Sequence, residues 1–140
     1  MTYDEKPAER TMSLDTAPVQ EDAPPARLAP QDQAAVDALA EDHALLIVHY
    51  GPNAGARFLL DTDLTTAGRS VSGDIFLDDV TVSREHVQFV RDGVHFSVRD
   101  AGSLNGTYLN RERVAEAPLT DGDEVQIGKY RLTFYQGASR

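Results

Sequence analysis

The sequence predicts an all-β protein, an antiparallel β-sandwich, preceded by a disordered acidic tail. Three observations support this prediction. Residues 44–140 hold all ten Gly and nine of the ten aromatic side chains, so only this part can form a packed core. Short β-like apolar runs recur there, with turn-forming residues every eight to twelve positions. No stretch after Glu41 has the 3.6-residue period of an amphipathic helix.

Residues 1–43 have the composition of a disordered tail. They contain no Gly, one aromatic side chain, five of the seven Pro, and ten acidic against three basic side chains. Such a segment cannot bury enough apolar surface to offset the entropy lost on folding. Within it, the Ala-rich residues 31–41 follow Pro30 and are a candidate for one or two helical turns, which are marginal when isolated.

Residues 44–140 are long enough for one small hydrophobic core. In residues 94–98, Val94, Phe96 and Val98 alternate with polar residues, as in a half-buried strand. Residues 91–93 predict the turn of a hairpin before it, and Gly128-Lys129 separates the last two strands. The predicted strands, in chain order, are residues 45–48, 57–60, 64–67, 86–90, 94–98, 124–127 and 131–135. Short strands joined by tight turns predict an antiparallel sandwich.

Charge and composition exclude several classes of function. The formal net charge of −10 argues against binding to nucleic acid or to an anionic membrane, both of which need a basic face. The absence of Cys excludes disulfides and thiolate metal sites. No apolar run approaches the roughly 18–20 residues of a membrane span, and the first fifteen residues lack the apolar segment of a signal peptide. We expect a soluble, cytoplasmic monomer.

Three polar clusters interrupt the predicted strands, at residues 68–69, 83–86 and 102–107. In a sandwich the loops gather at the two ends, so these clusters can share one rim. Arg69 and Arg84 offer guanidinium groups suited to phosphate oxygens, and Ser83 adds a hydroxyl donor. Asn105 has donors and an acceptor that can hold a peptide backbone. The sequence therefore predicts an anion-binding loop rim on a β-scaffold.

The same clusters resemble the motifs of the forkhead-associated (FHA) domain family. They stand here as Gly68-Arg69, then Ser83-Arg84-Glu85-His86, then Asn105-Gly106-Thr107, in the family's order and at fitting spacings. The resemblance covers residues 44–136, essentially the whole globular part. It implies a β-sandwich of about eleven strands that binds phosphothreonine peptides through one set of loops.

The resemblance also implies roles for individual residues. Six are expected to contact the phosphopeptide: Arg69, Ser83, Arg84, Ser103, Leu104 and Asn105. Three are expected to support the loops: Gly68, His86 and Gly106. In this interpretation Arg69 and Ser83 hold the phosphate and Asn105 holds the ligand backbone. Arg84 either adds a second guanidinium or braces the loop against a carboxylate.

Residues 51–55, 74–84, 102–110 and 122–129 are further similar to a subfamily of actinobacterial FHA regulators. Its members inhibit 2-oxoglutarate dehydrogenase and, in some species, modulate glutamate dehydrogenase and glutamate synthase. They are substrates of Ser/Thr protein kinases, and a phosphorylated threonine of their tail folds back onto their own FHA site. The resemblance thus implies a non-catalytic regulator of central metabolic enzymes. The alternative is a general FHA adaptor that recruits phosphorylated proteins, without a metabolic role or self-inhibition.

One segment departs from that subfamily. Its tail motif Glu-Thr-Thr-Ser-Val-Phe is replaced here by Glu-Arg-Thr-Met-Ser-Leu at residues 9–14. Thr11, with Leu14 three residues later, is the candidate for phosphorylation, and Thr16 is the runner-up. A second class of function also stays open beside phosphothreonine binding. In that class the same loops bind folded enzymes independently of phosphorylation.

Catalysis and metal binding are not expected. Ser83, His86 and Asp100 have the residue types of a hydrolase triad, but the chain has no Gly-x-Ser-x-Gly nucleophile elbow. The four His show no metal-ligand spacing. We therefore predict no enzymatic activity, no metal and no cofactor.

Overall fold

The computed structural model describes residues 28–139. These residues contain eleven strands and one short helix, joined by loops. The helix, α1, spans Pro30–Asp37. The strands are β1 Ala44–Tyr50, β2 Arg57–Leu60, β3 Leu64–Gly68, β4 Ile75–Phe76, β5 Val87–Asp92, β6 His95–Asp100, β7 Thr107–Leu109, β8 Glu112–Val114, β9 Glu116–Leu119, β10 Glu124–Ile127 and β11 Tyr130–Gln136.

The strands form two sheets, which confirms the predicted β-sandwich. The six-stranded sheet has the order β2-β1-β11-β10-β7-β8, and the five-stranded sheet has the order β4-β3-β5-β6-β9. The pairs are antiparallel except for β3 and the two-residue β4, which pair in parallel. Alternate side chains of both sheets meet in one core, where the rings of Phe96 and Phe134 lie edge to face at 5.4 Å.

Tight turns set the register of the hairpins. Gly128 and Lys129 form the two-residue turn between β10 and β11, as predicted. The turn between β5 and β6 consists of Gly93 and Val94, so the strand predicted at residues 94–98 begins one residue later, at His95. Gly93 has a positive φ (65°), which suits a tight hairpin turn. Because Val94 is part of the turn, it does not take part in the alternation of buried and exposed side chains along β6.

Helix α1 and the residues after it pack against the sandwich. Proline occupies the start of α1, where its missing N–H costs nothing. Arg57 of β2 lies 3.5 Å from the Asp32 carboxylate, and Leu39 is only 6% exposed. Gly137 donates a backbone hydrogen bond to His43 O (3.0 Å). The packed unit therefore includes the last residues of the segment predicted as a tail.

The rest of that tail, residues 1–27 with Thr11 and Thr16, lies outside the described residues. Across residues 28–139, no helix is both long and apolar enough to traverse a bilayer.

Candidate functional site

The three predicted clusters meet at one end of the sandwich, in the loops that follow β3, β4 and β6. We call these loops, residues 69–74, 77–86 and 101–106, the loop rim. The first two are joined by backbone hydrogen bonds from Arg69 N to Ser83 O (2.9 Å) and from Ser70 N to Arg84 O (3.1 Å). The third is joined to the second by Leu104 N, which donates to Ser83 Oγ (2.9 Å). The fold thus brings residues distant in sequence into one surface.

The polar side chains of this surface have unused donors. Ser83 Oγ accepts the Leu104 N–H, so its own hydrogen remains available for a ligand. Arg69 and Arg84 are exposed, and neither guanidinium has a hydrogen bond or ion pair with any residue in 28–139. The carboxylate of Asp74, a possible partner for Arg69, accepts instead from Thr66 N (2.9 Å). Two unpaired guanidinium groups and a free hydroxyl hydrogen can bind the oxygens of a phosphate.

Asn105 is held in one orientation beside these donors. Its Nδ2 donates to Thr81 O (2.9 Å), which leaves the amide oxygen free to accept a backbone N–H from a ligand. Thr81 is itself fixed: its N–H donates to Asp79 Oδ2 (2.9 Å), and its Oγ1 accepts from Lys129 N (2.9 Å). The hydrogen bonds from the Thr81 hydroxyl and N–H lower the pKa of Asp79. Through Thr81, Asn105 is therefore connected by hydrogen bonds to Lys129 in the β10–β11 turn.

Asp100 organises the loop at residues 101–106. Its carboxylate accepts hydrogen bonds from the N–H groups of Gly102 (2.9 Å) and Ser103 (3.0 Å), from Ser103 Oγ (2.5 Å) and from Thr107 Oγ1 (2.7 Å). Partial burial alone raises the pKa of Asp100, but these hydrogen bonds together lower it. Ser103 Oγ also accepts from Gly106 N (3.0 Å), so this hydroxyl is engaged inside the loop.

His86 is fully buried beneath the loop rim and bridges two of its loops. Ser83 N donates to His86 Nδ1 (3.1 Å), and His86 Nε2 lies 2.9 Å from Gly106 O. Because a carbonyl can only accept and a backbone N–H can only donate, Nε2 carries the ring hydrogen and Nδ1 carries none. The neutral ring thereby holds Ser83 and the backbone next to Asn105 in fixed relative positions.

We expect the protein to lose stability as the pH falls from about 7 to 5, because burial lowers the pKa of His86 more than its hydrogen bond to Gly106 raises it. A histidine whose pKa is lower in the folded state stabilises the fold above its unfolded pKa near 6.5, and this contribution is lost as the pH falls toward the folded pKa. Protonation of His49 should also destabilise the fold as the pH falls, since burial lowers its pKa despite a hydrogen bond to Glu124.

Urea unfolding at each pH measures this effect, and ring NMR signals separate the two histidines. An unfolding free energy that stays constant between pH 7 and 5, or a His86 ring that protonates at or above pH 6.5, contradicts the prediction.

Two glycines of the predicted motifs lie where a larger residue does not fit. A Cβ at Gly68 would lie 2.1 Å from Arg84 O, because the end of β3 passes directly against the loop before β5. Gly106 has a φ of +86°, and a Cβ there would lie 2.7 Å from Arg113 Nε. Gly68 therefore permits the close approach of the segments that carry Arg69 and Ser83. Gly106, next to Asn105, has a backbone conformation that L side chains rarely adopt.

The geometry of Ser83, His86 and Asp100 is not that of a hydrolase triad. Ser83 Oγ contacts Leu104 N rather than the His86 ring, and both ring nitrogens have other partners. Within residues 28–139, no group of three or more His, Cys, Asp or Glu side chains could hold a metal ion.

Fold and site together define a class of protein: a β-sandwich that presents donors for an anionic ligand on loops at one end. The FHA domain family matches residues 65–128. The oxoglutarate dehydrogenase inhibitor of Corynebacterium jeikeium is 58% identical over 105 residues, which cover 75% of this chain and 73% of the relative. The glycogen accumulation regulator GarA of Mycolicibacterium smegmatis is 57% identical over 116 residues, 83% of this chain and 73% of the relative. The chain belongs to the FHA family.

A solved structure agrees with this assignment. It comes from a structural and functional analysis of phosphothreonine-dependent FHA domain interactions and superposes with a TM-score of 0.64 at 27% identity, covering 69% of this chain and 99% of the other. The resemblance to the FHA family and to its actinobacterial regulators, inferred from the motifs, is confirmed.

Proposed function

We propose that this protein is a non-catalytic regulator that binds phosphothreonine peptides through its loop rim. The observation that carries the proposal is a pair of exposed guanidinium groups, neither bonded to a residue in 28–139, beside the available hydroxyl hydrogen of Ser83. A phosphothreonine brings a charge of about −1.5 to −2 and three acceptor oxygens, which match this set of donors.

The contacts support separate roles for the predicted residues. Arg69 and Ser83 hold the phosphate, and Arg84 adds a second guanidinium, since no carboxylate in residues 28–139 pairs with it. The Asn105 oxygen accepts a backbone N–H of the peptide, and Leu104, 85% exposed, packs against the ligand. Three residues keep the loops in place, as predicted for them: Gly68, His86 and Gly106. Ser103 is predicted to contact the peptide, but because its hydroxyl donates to Asp100 and accepts from Gly106 N, we propose that it supports the loop instead.

The target is an enzyme of central metabolism, and the site of action is the cytoplasm. The relatives named as an oxoglutarate dehydrogenase inhibitor and as a glycogen accumulation regulator support this part of the proposal. We take 2-oxoglutarate dehydrogenase as the first target, with glutamate dehydrogenase and glutamate synthase as further ones. A general adaptor for phosphorylated proteins is the alternative.

A Ser/Thr protein kinase controls the protein by phosphorylating Thr11, with Thr16 as the runner-up site. The phosphorylated residue then occupies the protein's own loop rim and excludes external partners. Residues 12–29, which connect Thr11 to α1, can span up to about 60 Å when extended. The longest strands, such as the seven-residue β1, are only about 23 Å long. The connection is therefore long enough for Thr11 to reach the loop rim at the end of the sandwich.

Titration with peptides from the tail tests this function. We expect a peptide with phosphorylated Thr11 to bind at least about tenfold more tightly than the same peptide with Glu at that position, because a carboxylate has less charge and fewer acceptors. The unphosphorylated peptide and a peptide with phosphorylated Thr16 are the controls. If the Glu peptide binds as tightly as the phosphorylated one, the site recognises negative charge rather than phosphothreonine. If the peptide with phosphorylated Thr16 binds more tightly, Thr16 rather than Thr11 is the regulatory site.

A second candidate function is phosphorylation-independent docking onto a folded enzyme. It is favoured by three large aliphatic side chains, one from each loop of the rim: Val71, Val80 and Leu104, which are 84%, 84% and 85% exposed. Exposed apolar side chains grouped on one surface are typical of protein–protein contacts. If the Arg69→Ala variant inhibits the target enzyme as well as the wild type does, this second function is the correct one.

A further inference from the structure

Asn105 and Gly106 form the only Asn-Gly pair in the sequence. The proposed function uses the amide of Asn105, and the positive φ of Gly106 (86°) favours glycine at that position. In such a pair no Cβ hinders the backbone N of the glycine from approaching the side-chain carbonyl carbon of the asparagine. The residue types that suit this site are therefore also the types most prone to loss of the asparagine amide.

Loss of this amide is a hydrolysis in two steps. Gly106 N gives up its proton and attacks Asn105 Cγ, a new N–C bond forms, and Nδ2 leaves as ammonia. Water then opens the resulting cyclic imide at either of its carbonyl carbons, which gives an aspartate or an isoaspartate at residue 105. Asn105 is exposed, so water can enter and ammonia can leave.

In the folded protein, hydrogen bonds hold both the attacking and the leaving nitrogen. Gly106 is buried, and its N–H donates to Ser103 Oγ (3.0 Å). Ser103 Oγ is itself fixed, because it donates to Asp100 Oδ1 (2.5 Å). The Asn105 Nδ2 donates to Thr81 O (2.9 Å). Since the attack requires the Gly106 N–H to leave the Ser103 hydroxyl, these hydrogen bonds oppose the reaction.

Deamidation would remove the donor that anchors Asn105 and would add a negative charge to the loop rim. A carboxylate cannot donate to Thr81 O, so two acceptors would face each other where the structure has a hydrogen bond. The neighbouring Leu104 N donates to Ser83 Oγ (2.9 Å), so the new charge would arise next to the proposed phosphate contact. An isoaspartate would also insert Cβ into the backbone of the loop. Both products should therefore weaken phosphopeptide binding.

We propose that Asn105 is a site of spontaneous deamidation that ends phosphothreonine binding, and that the Ser103 hydroxyl protects it by holding the Gly106 N–H. The loss of binding rests on the proposed function. The reaction and its protection depend only on the geometry of the loop at residues 101–106 and its hydrogen bonds. The loop that positions Asn105 for a ligand thus also preserves its amide.

Mass spectrometry of the whole protein, incubated at mildly alkaline pH and then digested with trypsin, measures the reaction. Cleavage after Arg99 and Arg111 releases residues 100–111, and fragment ions assign the mass gain from replacing NH2 by OH to Asn105 rather than to Asn110. A synthetic peptide of residues 100–111 has the same sequence without the fold. We expect it to lose the Asn105 amide at least about fivefold faster than the native protein, since it lacks both hydrogen bonds.

Two Ser→Ala variants locate the protection. Ser103→Ala removes the acceptor of the Gly106 N–H, and deamidation of Asn105 should become roughly two- to tenfold faster. Ser72→Ala is the matched control, because it also removes a hydrogen-bonded hydroxyl from the loop rim, but from the loop at residues 69–74. It should deamidate at the wild-type rate.

Leu60→Ala is the control for a general loss of stability. Leu60 is 1% exposed in the core, on β2, which three strands separate from β7 in the sheet. This variant should lower the free energy of unfolding, measured in urea, without changing the deamidation rate, because Gly106 N stays bonded to Ser103 in the folded state. An acceleration equal to that of Ser103→Ala would show that the reaction requires unfolding rather than release of this hydrogen bond.

The deamidated protein, separated from the intact protein by ion exchange, is then titrated with a phosphothreonine peptide. We expect its affinity to be at least about tenfold lower than that of the intact protein. If the intact protein does not bind the peptide, the proposed function fails and the claim about binding fails with it, whereas the mass measurements still decide the reaction and its protection. Equal deamidation rates in peptide and native protein, an unchanged rate in Ser103→Ala, an equal acceleration in either control variant, or full affinity of the deamidated protein would overturn the inference.

Discussion

The Arg69→Ala variant should bind a phosphothreonine peptide roughly 10–150 times more weakly than the wild-type protein. Hydrogen bonds to charged groups contribute about 1.5–3 kcal/mol, and each 1.4 kcal/mol changes affinity tenfold. The free energy of unfolding should stay near the wild-type value, since Arg69 is exposed and its guanidinium makes no hydrogen bond or ion pair with another described residue. Calorimetric titration gives the affinity, and a thermal melt gives the stability.

Arg99→Ala is the control for a general loss of positive charge. Arg99 is also exposed, but it belongs to β6 rather than to the loop rim, and its guanidinium is already bonded to Gln88. It should bind the phosphopeptide like the wild type. An Arg69→Ala variant with unchanged affinity would remove Arg69 from the site and with it the proposed binding geometry.

Gly68→Ala should impair both stability and binding, although it adds only one methyl group. The new Cβ would lie 2.1 Å from Arg84 O and 2.9 Å from Ser83 O, and these are backbone atoms that cannot turn away. To relieve this clash, β3 and the loop before β5 must move apart. The free energy of unfolding should therefore fall by about 1–3 kcal/mol. Because Arg69 and Ser83 lie on these two segments, phosphopeptide affinity should fall as well.

The matched control for this change is Gly73→Ala, in the same loop rim. The nearest atom to a Cβ at Gly73 is Thr66 Oγ1 at 3.4 Å, an ordinary contact. Urea unfolding and peptide titration should therefore show little change for Gly73→Ala. If the two variants behave alike, the close approach at Gly68 does not determine the shape of the site.

Strands with alternating or continuous apolar residues next to a clear turn could be predicted from sequence, because their own residues carry the signal. In β10 and β11, alternating side chains flank a Gly-containing turn, and the structure has these strands within one residue of the predicted bounds. The short strands β4, β7, β8 and β9, of two to four residues, were not individually predicted. Their residues show no clear alternation beside a turn, and pairing with neighbouring strands defines them.

Residue types predict the proposed binding residues, and the family resemblance predicts three of the loop supports, but neither predicts the role of Asp100 in the loop at residues 101–106. Arg69, Ser83 and Asn105 can be selected because phosphate and peptide backbone require their functional groups. Asp100 was considered only as a triad member, although the sequence Asp-Ala-Gly-Ser is a signal for an Asx turn that its carboxylate stabilises.

One surface beside the loop rim could not be predicted from sequence. Asn105, Arg111 and Lys129 come from three separate turns, and only the order of β7, β8, β10 and β11 in the sheet brings these turns together. Sequence spacing carries no information about such an arrangement.

Amide NMR of the whole protein, titrated with a phosphothreonine peptide and with its unphosphorylated form, shows directly whether the loop rim is the binding surface. We expect saturable shifts at the amides of Arg69, Ser83, Leu104 and Asn105 with the phosphorylated peptide alone. In Arg69→Ala the remaining shifts should require roughly 10–150 times more peptide to reach half saturation. Shifts of equal size with both peptides, or shifts confined to residues outside 69–74, 77–86 and 101–106, would contradict phosphothreonine recognition by these loops.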